Sequence, residues 1–211
     1  MSAEKKTASV SLTAPNLKTV RFEIVGTAPL VIHRFSAKVK KEMEGKIVEG
    51  STNKKTKHAP RSIEDICDEA RYVSPEGWDG FNAASIRCAM ISACRLVNFK
   101  MTMAKMSIFC IADGRDAMEP EYALVRIHGK HRVLSMPAVV ANGNKYVTIR
   151  PIYDTWKADV TIRYDADQFK LDDVANLLSR AGAQVGIGEG RNSSPDSAGM
   201  GWGSFKITNE K

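Results

Sequence analysis

The feature that most limits how this chain can fold is its glycine-dense tail. Seven of its fifteen glycines sit at positions 182, 186, 188, 190, 199, 201 and 203. Glycine at such density removes side chains, so that backbone approaches something closely or takes φ values that other residues avoid. The segment in front of it, Leu171 to Arg180, carries Val174, Leu177, Leu178 and Ala181 on one stripe and reads as an amphipathic helix, with Gly182 suited to its C′ position. Asp172 and Asp173 favour that helix's N-terminus.

The rest of the chain supplies strands and one more helix for the tail to pack on. Val20, Phe22 and Ile24 alternate with polar residues, which predicts a half-buried strand closed by Gly26-Thr27-Ala28-Pro29; the apolar run Leu30-Val31-Ile32 follows. Trp156, Ala158, Val160, Ile162 and Tyr164 face one way along a second strand, and Lys157, Asp159, Thr161 and Arg163 the other. Between them, Asn82 caps a helix through Val97 whose stripe is Ile86, Ala89, Met90, Ala93 and Val97. Ser62-Ile63-Glu64-Asp65 marks a shorter helix that runs toward Val73 and the Ser74–Gly77 turn. Phe99 to Ile111 is rich in Met and β-formers, and short strands are expected at 122–127, 131–134 and 145–149. The order strand, long tract, helix, inserted strands, strand, helix, strand predicts an α+β fold. Its expected core is ferredoxin-like, of the RRM type, with split βαβ units.

At 211 residues the chain fits one domain. Residues 1–16 are expected to form a loose arm and 17–208 the domain, with a basic insertion at 38–61, a β-rich insertion at 98–150 and the glycine-rich loop at 182–205. A formal net charge of +7 favours an anionic partner, nucleic acid before membrane surface. Cys67, Cys88, Cys94 and Cys110 form no CxxC pair and have no histidine at ligand spacing. They read as thiols of a reducing compartment, and the absence of an apolar leader or membrane-length run makes the expected location cytoplasmic.

Gly186-Ile187-Gly188-Glu189-Gly190-Arg191 has the outline of a phosphate loop, but no long helix follows it and the Walker Lys-Ser/Thr is missing, so nucleotide-cofactor readings fail on context. No HExxH, nucleophile elbow or metal-spaced carboxylate cluster is present; neither cofactor nor metal is expected. His33 with Arg34 suits metal-independent RNA cleavage, or else phosphate binding or local packing. The basic side chains make a broader pattern. Arg34, Lys54, Lys55, Lys57, Arg87, Arg95, Arg163 and Arg191 come from separate segments and are candidates to line one groove for phosphates. Phe35, Tyr153, Trp156 and above all Trp202, set between two glycines, offer stacking surfaces for single-stranded bases.

Val185 to Arg191 followed by Gly199-Met200-Gly201-Trp202-Gly203-Ser204-Phe205 resembles the C-terminal glycine-rich loop of the CRISPR-associated RAMP superfamily. Phe81-Asn82-Ala83-Ala84-Ser85-Ile86-Arg87…Ala93-Cys94-Arg95 resembles the small-residue helix of its backbone subunits. With Gly26 to Ser36 included, residues 18–208 also resemble a family of uncharacterised phage and prophage proteins. The tail departs from the superfamily pattern where Asn192 to Ser197 interrupts its glycines. The resemblance implies an RRM-like core that handles single-stranded RNA, subunits stacking as a homo-oligomeric filament along the strand, and residues 38–61 acting as a thumb. A phage context leaves DNA open as the strand. Two alternatives stand beside non-enzymatic binding: an endoribonuclease using His33, and a module that mimics a subunit of a host nucleic-acid complex, with phage or host nucleic-acid-processing proteins as partners.

Overall fold

The computed structural model describes residues 13–35, 40–41, 43–45, 47, 61–139, 145–194 and 198–210. In chain order its first half contains β1 (Leu17–Gly26), β2 (Leu30–Val31), α1 (Ile63–Glu69), β3 (Tyr72–Val73), β4 (Asp79–Asn82), α2 (Ala84–Ala93), a 3₁₀ turn (Cys94–Val97) and α3 (Met101–Ser107). There follow β5 (Ile108–Ile111), β6 (Gly114–Arg115), β7 (Ala123–Arg126), β8 (Arg132–Val139), β9 (Lys145–Tyr153), β10 (Lys157–Asp165), α4 (Leu171–Arg180), a π-helical turn (Ala181–Val185) and β11 (Phe205–Glu210). Among the described residues the architecture is α+β, with three antiparallel sheets and short helices.

The main sheet has the order β11-β1-β10-β5, and each neighbouring pair is antiparallel. The chain therefore leaves β1, passes through α2, and returns as β5 with β10 lying between them. It leaves β10, passes through α4, and returns as β11 with β1 between. Register puts Val20 opposite Ile162, Phe22 opposite Val160 and Ile24 opposite Ala158, so the alternating apolar residues of both strands share a face. That face is buried against Ile86, Ala89 and Met90 of α2 and Val174, Leu177 and Leu178 of α4. Each Leu, Ile or Val fully buried there contributes about 1.5–3 kcal/mol, which makes this layer the main source of stability. Arg21, Thr161 and Arg163 lie on the opposite face.

Several expectations are corrected. Ile108–Ile111 is an edge strand of the main sheet, so the β-rich insertion begins after it and not at residue 98. Met101–Ser107 is helical, and the strands at 72–73 and 79–82 flank the Ser74–Gly77 turn. β8 and β9 are longer than expected and pair continuously from Arg132↔Ile152 to Val139↔Lys145. The helix after Asn82 tightens to 3₁₀ at Cys94, and the change of angle per residue turns Val97 out to 43% exposure. Gly182 is not a left-handed stop. It is buried in the π turn, where an added Cβ would strike Phe205 of β11, and Gly186 (φ +75°) ends the helical run instead.

Candidate nucleic-acid interface

A groove runs along the exposed side of α2. One part, of about 470 Å³, is walled by Ser85, Cys88, Ser92 and Arg95 on the helix side and by Gln184, Gly186, Arg191 and Ser193 on the tail side. A second part, of about 390 Å³, shares Asn82, Ser85 and Arg191 with the first and continues past His33 and Tyr72. The small residues of α2 expected to let it lie close to the sheet do so, with Ala89 and Ala93 buried inward. Their neighbours Ser85 and Ser92 line the groove.

The tail wall is fixed by its glycines. Gly186, Gly188, Gly190, Gly199, Gly201 and Gly203 all have φ between +67° and +78°. At Gly203 an added Cβ would run into the Ile187 carbonyl, because the two ends of the loop cross there. The backbone N–H groups at this crossing are turned inward. Ile187 donates to Gly203, Glu189 to Val31 (2.9 Å), Met200 to Gly190 and Gly203 to Pro29 (2.7 Å). The N–H groups at those four positions are not open to a ligand, since each is spent on closing the loop.

Among the described residues the groove's first part contains Arg95 and Arg191 and no carboxylate. Arg95 Nε lies 3.3 Å from the Met101 sulfur, and Arg191 donates to the Gly188 carbonyl (3.2 Å); among the described residues neither guanidinium has a carboxylate partner. In the second part Glu189 accepts from Arg150 Nε at 2.7 Å and sits 3.4 Å from His33 Nδ1. Burial, reinforced by the Arg150 charge and opposed by Glu189, lowers the His33 pKa below the ordinary imidazole value. Its side chain nevertheless stays 44% exposed toward the groove.

The remaining predicted residues are not gathered there. Arg34 is corrected outright. It is 3% exposed, with its guanidinium 3.1 Å from Asp116 and 3.3 Å from Glu119, and so has no surface to offer a phosphate. Arg87 turns away from the groove and donates to the carbonyls of Ile108 and Lys105. Its guanidinium also lies 5.1 Å from the Phe109 ring, beside Arg163 at 5.3 Å on the same ring. Arg87 and Arg163 thus belong to a second basic surface at the β5 edge. Lys54, Lys55 and Lys57 fall outside the described residues, as does most of the expected thumb. Tyr153 and Trp156 are core, the indole donating to the Ala28 carbonyl at 2.9 Å; Phe35 is exposed. Trp202 is half-buried against Gly190, joined by a backbone bridge to Arg191 at the groove's rim. Asn82, expected only as a cap, accepts the Ala84 N–H at 2.9 Å and also lines the groove. Sequence reasoning missed Ser85, Ser92, Gln184 and Ser193, which have no motif of their own.

Among the described residues no group of three His, Cys, Asp or Glu side chains is placed to hold a metal ion, and no helix is long and apolar enough to cross a membrane. The chain matches no family model and no curated protein sequence.

Proposed function

We propose that this protein binds single-stranded nucleic acid, RNA in preference to DNA, and assembles along it in successive copies as the RAMP-type backbone subunits it resembles do. The observation that carries this is the groove between α2 and the glycine-rich loop, lined by hydroxyl and amide groups and by two arginines that have no carboxylate partner among the described residues. Arginines of this kind hold phosphates, while Ser85, Ser92, Gln184 and Ser193 suit the 2′-hydroxyls that distinguish RNA. Trp202 at the rim gives a base something to stack on. The sheet order and its two helix crossovers support a ferredoxin-like, split βαβ core. Four free cysteines support a cytoplasmic setting. Fluorescence anisotropy with labelled single-stranded RNA and DNA, followed by electron microscopy of each mixture, tests the reading. Saturable, salt-sensitive binding with filaments on one of the two strands is expected. Absence of binding to both would sink it.

His33 gives the site a measurable pH response. Its folded pKa lies below 6.5, so the folded state takes up the proton less readily than the unfolded chain. That group's contribution to stability is therefore present above 6.5 and declines as pH falls through it. A bound phosphate works the other way and draws the proton in, so affinity for oligouridylate is expected to rise several-fold as pH falls from 8 to 5.5. His33→Gln should flatten that rise. An unaltered rise in the variant would mean another group is responsible. The same placement, a neutral imidazole in one groove with Arg191, favours a second reading as a metal-independent endoribonuclease. Cleavage of RNA in chelator that disappears in His33→Ala would establish it, and intact RNA after prolonged incubation would exclude it.

A further inference from the structure

A separate cavity of about 520 Å³ lies at the far end of β4 from Asn82 and shares no residue with the groove. Its walls include Arg71, Glu76, Trp78, Asp79, Arg126 and His128. Trp78 is half-buried. Its six-membered ring lies against Gly80 and Gly114, where an added Cβ would come within 3.2 Å and 2.8 Å of it. Two strands therefore carry no side chain beneath this indole. Its Nε1 donates to one oxygen of Glu76 at 3.0 Å, and the Arg126 guanidinium stands 5.9 Å from the ring centroid.

The charges around the indole divide clearly. Asp79 is matched by Arg71, accepts the Tyr153 hydroxyl at 2.8 Å and has His131 at 3.2 Å, so it is compensated within the protein. Arg71 is held by Asp79 and by Asp68 (2.7 Å). Arg126 and His128 are exposed, and among the described residues neither side chain has a carboxylate partner. The second oxygen of Glu76 remains an acceptor beside the ring.

We propose that this cavity binds a nucleotide whose base carries an exocyclic amino group. The base stacks on Trp78 where the Arg126 guanidinium stands over the ring, its amino group donates to Glu76, and Arg126, moved aside, holds the phosphate with His128. Aromatic stacking accepts any base, the carboxylate acceptor selects for an amino-bearing edge, and the planar guanidinium matches the phosphate. The ligand is a free nucleotide or one unit of a strand, and the site does not depend on the groove.

Indole N–H resonances of the chain's three tryptophans, assigned with Trp78→Phe, report on it directly. AMP is expected to shift the Trp78 signal saturably while leaving that of buried Trp156 in place. UMP should bind at least about fivefold more weakly, as should AMP to Arg126→Ala, since one lost charge-assisted contact costs about that much or more. A Trp78 signal indifferent to AMP, equal affinities for AMP and UMP, or an Arg126→Ala chain that binds as well as the parent would each overturn the proposal. Displacement of AMP by oligoadenylate in the Arg95→Ala, Arg191→Ala chain identifies a strand as the source of the nucleotide. Failure to displace identifies the free nucleotide. In that chain loss of the groove and loss of this cavity are read separately.

Discussion

Replacing Arg95 and Arg191 together by alanine is expected to weaken binding of a single-stranded oligonucleotide on the order of 100-fold, with little change in thermal unfolding. The asymmetry follows from what each guanidinium does in the free protein. Arg95 touches a thioether and Arg191 one carbonyl, so the fold loses little when they are removed. In the complex each makes charge-assisted contacts with a phosphate, and two such losses together reach roughly that factor. Salt gives a second signature. Each phosphate contact on a single strand contributes about 0.7 to the slope of log affinity against log salt, so the double variant should be shallower by about 1.4. Arg87→Ala is the control for charge loss outside the groove, one positive charge removed against two. Its guanidinium is committed to Ile108 and Lys105, so the variant should unfold earlier yet bind almost normally. Double-variant binding at parental affinity and slope would remove the groove from consideration.

What the sequence disclosed and what it withheld divide along the range of the interactions. Period-two and period-3.6 apolar patterns identify β1, β10 and α4, because burial of one face is written into nearest neighbours. The inward set Ala158, Val160, Ile162 and Tyr164 is buried as expected. The left-handed glycines of the tail were legible for the same reason, since a backbone demand acts on the residue that meets it. The partners of charged side chains were not. Arg34, Arg87 and Arg191 look alike in a sequence. One is sealed beneath Asp116 and Glu119, one bonds to carbonyls, and one lines a groove. Those fates depend on segments tens of residues away. Arg87 and Arg95 share a face on an ideal helix but part company once the helix tightens at Cys94. Gly182 is no helix stop because its lack of a side chain answers Phe205 across the fold, and Gly186 ends the helical run.

Arg34→Ala should then be the most damaging single substitution of a charged residue considered, costing about 3–5 kcal/mol and lowering the urea midpoint sharply. The guanidinium is one member of a buried knot. Asp116 accepts N–H bonds from Val73 (3.1 Å), Met118 (3.2 Å) and Glu119 (2.9 Å), and Glu119 is shared with Lys40 at 2.8 Å. Removing the arginine leaves two carboxylates in a space that is 2–8% exposed, with Lys40, among the described residues, in partial compensation of Glu119. Pairing Arg34→Met with Glu119→Met tests the attribution, because an apolar replacement of both partners costs less than the sum of the single losses when the damage lies in the abandoned charge. Additive losses would show that Arg34 matters for packing alone. Either way the effect on oligonucleotide affinity, measured where the chain remains folded, should be small, which separates this arginine from the two that line the groove.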